Sequence, residues 1–398
     1  MKILCVFGKH QYGDPARGVS TEYAAFIPAL KRLGFDVAHF DSWDRARYAD
    51  FAELNRALLN TVESVRPDVM LSVQLLYEIW LETLEAIGNR GDVATICWAT
   101  DDSWKYRECS RFIGRAYHAM ATTYDYVLPE YRRDGIENVM LTQWAANADA
   151  LREPLPASAC RYQVSFVGAA HGDRKSRIDG LAEKGIDVAC FGYGWPAGPV
   201  NADEIPRIMR ESVISLNFAN ARGENQIKAR TFEVPGAGGF LLTERAPGLE
   251  RFYSAGEELD VFANPAELEE KIRYYLSAPE RRDEIARKGF ERTRREHTYD
   301  ARMSEIVNFA LKAHDGFKQT HPGSGVTTSF AAANRRHRAG FLLKLLRATL
   351  VLPCIAIWGS SRGPRAARRI MFEISWRLFG TKTYSASGWP GRLFYKES

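Results

Sequence analysis

The 398-residue chain is 45% hydrophobic and 26% charged, which excludes a fibrous or wholly disordered protein and leaves room for two domains of about 150 residues each and an additional piece. Its six cysteines, at positions 5, 97, 109, 160, 190 and 354, form no CxxC pair and no regular spacing, so neither a disulfide framework nor a zinc site is expected, and the reading is reduced thiols in a cytoplasmic chain. The net charge of +5 conceals an asymmetry: residues 331–398 hold 13 Lys/Arg against two Asp/Glu, so any attraction to an anionic surface should reside there.

MKILCVFG opens the chain with a buried strand; its apolar run is short and no small-residue cleavage site follows, so no signal peptide is expected. The Gly-bearing loop KHQYGDPARGVS precedes an amphipathic helix in TEYAAFIPALKRLG. DVAHFD, PDVMLSVQ, VATICWA, YDYVLPE and NVMLTQ read as further strands, with helices over 50–65 and 77–89. This alternation implies a parallel sheet covered on both faces. LREPLPASACR, with two prolines and no period, reads as an inter-domain connection. A second series follows, with strands in YQVSFVGAA, DVACFG, SVISLNF, GFLLTE and LDVFA and helices in PAELEEKIRYYLSA and PERRDEIARKGFERTRREH. Two Rossmann-like, doubly wound domains facing a cleft are expected, with ligands beyond the carboxyl ends of their strands.

From 315 the composition changes. HPGSGVTTSFAAANRRHR is rich in Gly, Ser and Thr and reads as a linker. The apolar stretch GFLLKLLRATLVLPCIAIWG is interrupted by Lys344, Arg347 and Pro353, which disfavours a spanning helix. PRAARRIMFEISWRLFG sets Ile370, Ile374, Arg377 and Leu378 in a basic amphipathic pattern. Such helices lie on anionic membrane surfaces; the alternative is a terminal helical hairpin packed on the body. Aliphatic runs in place of stacking aromatics argue against nucleic acid. The expected division is 1–150, 151–314, a linker at 315–338 and a basic amphipathic extension at 339–398.

The segment RTFEVPGAGGF carries the best chemical signal. Glycines 236, 238 and 239 allow close backbone approach, Lys228 and Arg230 can neutralise a diphosphate, and the Glu233 carboxylate can accept hydrogen bonds from ribose hydroxyls. On spacing alone, turn geometry between a helix and a strand explains the same glycines. Asp101 and Asp102 follow the strand VATICWA, where a carboxylate can take a proton from an acceptor hydroxyl or stabilise an oxocarbenium ion; an Asp-Asp-Ser run also caps a helix. His10 and Gly18 sit in the loop after the first strand, and His10 is equally an ordinary loop histidine. Tyr193 and Trp195, in a Gly-rich turn, are candidates for a pocket wall, whereas Trp98 reads as core.

Several segments occur together in order: SFVG at 165–168 with Arg174, LNFAN at 216–220, RTFEVPGAGGFLLTE at 230–244, LDVFANPAELEEKIRYYL, and REHTYDAR at 295–302. This set resembles the catalytic C-terminal half of the CgeB-like glycosyltransferases, a branch of the group 1 (GT-B) superfamily. GVSTEYAAFIPALKRLGFDV, ICWATDDS and YDYVLPEYRRDGIENV extend the likeness to about residue 312; the basic tail is outside it. The resemblance implies a GT-B-like fold whose second domain holds a nucleoside diphosphate sugar. Glu233 would bind the ribose, Gly168 and Arg174 would approach the diphosphate, and Lys228, Arg230, Tyr193, Trp195 and Gly236 would complete the donor site. Many relatives carry two glutamates seven residues apart; here the earlier position is Asn225, with Glu224 beside it. Glu224 would then act by a shift of the loop, or Asn225 would hydrogen-bond a sugar hydroxyl. The acceptor side would use Asp101, Asp102, His10 and Gly18. No metal and no cofactor beyond the donor are expected, and the acceptor is a glycan, a lipid-linked molecule or a small molecule. The location implied is cytoplasmic, at the inner face of the membrane. A non-catalytic nucleotide-sugar or glycan-binding module and a sugar-nucleotide epimerase are the alternatives on the same fold.

Overall fold

The apolar runs of the first half form six strands, β1 (Lys2–Val6), β2 (Asp36–Phe40), β3 (Val69–Ser72), β4 (Ala94–Ala99), β5 (Ala119–Thr122) and β6 (Val139–Leu141). They make one parallel sheet in the order β2-β1-β3-β4-β5-β6. Helices α1 (Thr21–Arg32), α2 (Phe51–Val65), α3 (Leu81–Gly88), α4 (Asp102–Lys105), α5 (Arg111–Ile113) and α6 (Leu128–Arg133) run between and beside them. Every residue of β3, β4 and β5 is buried, as strands covered on both faces require. The helix starts are set locally. Ser20 caps α1 by accepting from the Tyr23 amide at 3.1 Å, and Asp50 caps α2 by accepting from Glu53 at 2.8 Å.

This computed structural model describes residues 1–219, 226–320 and 329–398. One strand differs from expectation. YDYVLPE forms a 3₁₀ turn, Asp125–Val127, and then α6, while the strand is the preceding AMAT. Pro129 lacks an amide proton and suits the first turn of a helix. The small residues of AMAT have weak strand preference, and their pairing with β4 and β6 overrides it.

The second series forms β7 (Tyr162–Val167), β8 (Ala189–Phe191), β9 (Ser212–Asn217), β10 (Leu241–Glu244) and β11 (Asp260–Phe262). They are parallel, in the order β11-β10-β9-β7-β8. Around them lie α7 (Arg174–Ala182), α8 (Glu204–Arg210), α9 (Arg230–Gly236), α10 (Pro265–Ser277) and α11 (Pro279–Glu296). The fully buried Arg282 of α11 donates to the carbonyls of Val213 and Ser212, both at 2.7 Å, and of Leu155 at 2.8 Å. Its charge is tolerated inside because its N–H groups meet acceptors. It ties the helix to the start of β9 and to the proline-bearing connection.

The chain divides into two units, Met1–Gln143 with Met303–Ser398, and Trp144–Arg302. The second unit therefore begins and ends earlier than the expected 151–314. Ala146 pairs with Thr298 through its amide on His297 O at 2.9 Å and its carbonyl under the Tyr299 amide at 3.0 Å, which binds the entering and leaving segments together. The helix α12 (Tyr299–Thr320) carries the chain back to the first unit. The first and last parts of the expected linker are helical, in α12 and α13 (Phe330–His337); 321–328 lie outside the described residues.

The C-terminal segment is integrated into the first unit instead of standing apart as an extension. It comprises α13, α14 (Phe341–Phe379) and α15 (Trp389–Leu393). Phe330 stacks on Trp80 with ring centroids 6.0 Å apart, Tyr384 on Phe112 at 5.5 Å, and Tyr395 meets Phe51 edge-on at 4.8 Å. Burial of these rings outweighs the ordering of the chain that carries them.

His297, in REHTYDAR, holds the exit of the second unit. Its Nε2 donates to Phe252 O at 2.9 Å while Nδ1 accepts from Arg302 at 3.2 Å, so the neutral ring is satisfied and a second proton would face a guanidinium. Burial is the main reason its pKa falls to about 4. With the folded value below the ordinary one of about 6.5, the unfolded chain takes up the proton first as pH falls. Stability present above pH 6.5 is therefore lost between about 6.5 and 4, by up to ~3 kcal/mol. Urea denaturation across that range should show a shallower pH dependence in His297→Gln than in the wild type; identical slopes would exclude this source.

Candidate functional site

In the second unit the strand order reverses at β7: the chain passes first to β8 on one side and then to β9 on the other. Crevices open beyond the carboxyl ends at such a switch point. The loop after β7 is held from below. The Gly168 amide donates to Phe191 O and the Ala170 amide to Tyr193 O, both at 2.8 Å, and Trp195 Nε1 donates to Gly168 O at 2.8 Å. Arg174, the first residue of α7, lies over the Phe166 ring and donates to Ala169 O at 3.1 Å and Phe218 O at 2.6 Å. It bridges the ends of β7 and β9 across the reversal. Burial lowers its pKa, as expected where the charged form loses water.

Arg230, opening α9, reaches the same edge. Its Nε donates to Val167 O at 3.2 Å, and its terminal nitrogen pairs with the Glu233 carboxylate. Both side chains of this pair are about a quarter exposed, 28% and 26%, so a ligand can reach each. Arg177 pairs with Asp173 at 2.7 Å and with the buried Glu244 at 2.5 Å, and Glu244 also accepts from the Ala219 amide. The edge is thus a set of guanidinium groups and carboxylates fixed on strand ends, with the start of α7 among them. Such an array suits an anion bearing polar hydroxyls.

Gly168, Arg174, Arg230 and Glu233 lie together at this edge, with Lys228 half-buried just before α9. Tyr193 is exposed on the loop after β8. Trp195 is largely buried, edge-on to Phe166, with its N–H spent on Gly168, so it positions the loop; the cavity it borders is the one lined by Lys175, Ile178, Asp179 and Cys190. At Gly236 a Cβ would stand 2.5 Å from the Ala146 methyl and 3.4 Å from Leu151 and Thr293, so this glycine lets α9 pack. Glu224 and Asn225 lie outside the described residues. The Arg177–Glu244 pair was not anticipated. Its signals were Glu244 at the end of the strand GFLLTE and Arg177 one turn beyond Arg174 on α7.

At the carboxyl edge of the first sheet the two aspartates part company. Asp102 is buried; it accepts from Ser110 Oγ and Tyr131 Oη, both at 2.6 Å, and burial raises its pKa. It ties α4 to α6 and presents no free carboxylate, which removes it from the expected catalytic set. Asp101 is half-buried and its side chain does not cap α4. Near it are two buried groups that the sequence reading passed over. Lys105 Nζ donates to Gln74 O at 2.5 Å. Glu22, in the first turn of α1, has its pKa raised by burial, an effect opposed by the Lys105 charge and reinforced by Asp101. The available signal was position, since the first turn of a helix that follows a strand and loop returns to the carboxyl edge. His10 pairs with Val19 across the loop after β1, and Gly18 adopts φ 82° beside it. Trp98 is core, stacked on Phe26 at 4.7 Å.

Residues 174–308 match the family model described as glycosyl transferase-like. No curated protein matches the chain. Among solved structures it is similar to the N-terminal domain of Candida albicans trehalose-6-phosphate phosphatase (TM-score 0.52, 10% identity, covering 78% of this chain and 97% of that one). It is also similar to sucrose-phosphate synthase of Thermosynechococcus elongatus (0.50, 11%, covering 80% and 99%). A third is a Listeria monocytogenes protein described as a UDP-N-acetylglucosamine 2-epimerase (0.50, 13%, covering 80% and 97%). At these identities the likeness is one of fold. The chain has the GT-B-like architecture of two parallel doubly wound units, and its second unit carries the glycosyl transferase-like match.

Proposed function

We propose that the protein is a CgeB-like glycosyltransferase that moves a sugar from a nucleoside diphosphate sugar to an acceptor hydroxyl on a glycan, a lipid-linked molecule or a small molecule. The observation that carries the proposal is the meeting of Arg174, Arg230 and Glu233 at the β7/β9 switch point. The diphosphate is taken to lie at the start of α7, where helix N–H groups and the arginines attract negative charge. Glu233 then exchanges part of its contact with Arg230 for the ribose hydroxyls. As the sugar departs, charge builds on the diphosphate, and Arg174, Lys228 and Arg230 are placed to stabilise it; the proposed scheme uses no metal. The donor sugar is oriented either by Glu224, through a shift of its loop, or by Asn225, through a hydrogen bond to a sugar hydroxyl.

On the acceptor side, Asp101 takes the hydroxyl proton, with His10 and Gly18 in the adjoining loop. The buried Glu22 beside it feels both the Asp101 and the Lys105 charge. A cytoplasmic location is part of this reading and rests on the irregular spacing of the six cysteines in the sequence. The neighbours by fold include a synthase, an epimerase and a domain of a phosphatase, so architecture alone does not select the chemistry. A non-catalytic nucleotide-sugar binder would need the Glu233 cluster but not Asp101.

Two measurements test the two halves of the reading. A thermal-shift screen of nucleoside diphosphates identifies the donor base. With that nucleotide, calorimetry on Glu233→Ala should show a dissociation constant raised about ten-fold or more, roughly 1.4 kcal/mol; wild-type affinity would remove Glu233 from the site. Asp101→Asn should lower kcat about 100-fold or more with donor affinity intact. Full turnover in that variant would dismiss the proposed base, and absence of turnover in the wild type with every donor that binds would favour the binding module.

A further inference from the structure

In the described residues, ten of the eighteen exposed large hydrophobic side chains fall within α14. Within its most apolar 18-residue window the mean hydropathy is 1.8, yet only 11% of that window is buried. A soluble surface rarely carries so much contiguous apolar area without a partner.

The helix is long enough to cross a bilayer by length and composition, but its backbone does not run straight. Gly359 takes φ 78° and ψ 171°, breaking α14 into arms at 341–358 and 360–379. The arms fold back on each other. A Cβ on Gly363 would stand 2.6 Å from Ile355 N and Cα, and Val351 and Cys354 are buried in one cluster with Ala367 and Met371. Both arms are anchored on the first unit. Arg347 donates to Leu393 O at 2.8 Å and pairs with Glu397 at 2.6 Å. Arg369 pairs with Glu108 at 3.1 Å, and Phe372 lies against Tyr77 with ring centroids 5.7 Å apart. A hairpin fixed at both ends on one body cannot thread a bilayer. Its buried side chains are spent on packing, and its exposed surface carries Leu345, Leu352, Ile357 and Trp358 on one arm and Ile374 and Leu378 on the other.

Charge selects the occupant. Lys344, Arg362, Arg365 and Lys382 are exposed on or beside the hairpin, and residues 331–398 carry a large positive excess. A second copy of the chain would bring the same positive charge against it, whereas acidic lipid headgroups complement it. We propose that the exposed surface of this hairpin docks on an anionic lipid bilayer. Its aliphatic side chains and Trp358 enter the boundary between headgroups and acyl chains, and its basic side chains meet the headgroups. The first unit is thereby held at the membrane surface. This inference is independent of the sugar-transfer reading.

The test is co-sedimentation of the full-length protein with phosphatidylcholine vesicles, with and without phosphatidylglycerol. The protein should pellet with the anionic vesicles and release as salt rises. Leu352→Glu/Ile357→Glu should weaken that binding about ten-fold or more, and Arg362→Glu/Arg365→Glu likewise. These side chains are exposed, so circular dichroism and the melting temperature should remain those of the wild type. Brominated lipids should quench Trp358, read as the quenching lost in Trp358→Phe. Wild-type protein left in the supernatant with anionic vesicles would overturn the proposal, as would unchanged pelleting of the Leu352→Glu/Ile357→Glu variant. A dimer in ultracentrifugation that this variant converts to monomer, without vesicle binding, would assign the face to a second copy; a soluble protein partner bound in its place would overturn the proposal equally.

Discussion

The second unit is organised by the reversal of strand order at β7. Reversal leaves the ends of β7 and β9 side by side, and the carbonyls at those ends need donors. Val167, Ala169 and Phe218 find them in Arg230 and Arg174. An unsatisfied carbonyl in this position would cost about 1–3 kcal/mol. The same guanidinium groups that close the fold therefore stand where a ligand of a doubly wound sheet arrives. Structural need and binding capacity coincide because one geometric event, the reversal, creates both.

Buried charge in this chain sorts by whether its hydrogen-bonding capacity is spent. Arg282 and Asp102 are wholly enclosed and matched by protein partners; such groups hold elements together. Glu233 and Arg230 are partly exposed and engage each other, an arrangement that a ligand can enter by replacing one contact with another. Glu22 and Lys105 form a third kind, enclosed side chains with a half-buried carboxylate, Asp101, nearby. Their enclosure is what makes Glu22 sensitive to the Lys105 and Asp101 charges, since water screens them little there. Sequence position alone treats Asp101 and Asp102 as equivalent; burial separates them.

Much of the architecture was legible because parallel sheets buried on both faces leave continuous apolar runs. KILCV, ATICWA and SVISLN could be read as strands without any tertiary information, and α1 declared itself by its amphipathic period. AMAT could not, since its four small residues become a strand only through neighbours on both sides. At the candidate site, Glu233 and Arg230 drew attention through the glycine-bearing turn beside them, and Arg174 only through the resemblance. Trp195 and Gly236 were read toward the ligand because an aromatic and a glycine next to a strand have the same appearance whether they face a pocket or the core. Contact with Gly168 O and with Ala146 decides it, and neither contact leaves a local mark in the sequence.

The C-terminal segment shows the same limit at a larger scale. An apolar stretch with scattered basic residues is compatible with a span, a surface helix or a packed hairpin, because composition does not record where a helix turns. The turn at Gly359 and the close approach at Gly363 select the hairpin. Once the arms are paired, one apolar face is consumed and the other is left over, so packing accounts for only half of the hydrophobic residues present. A terminal hairpin selected for packing alone would place polar side chains at Leu345, Leu352, Ile357 and Ile374, which stand 40–68% exposed. The retained apolar character at those positions, flanked by exposed basic groups, is therefore the part of the sequence that packing within the hairpin does not explain.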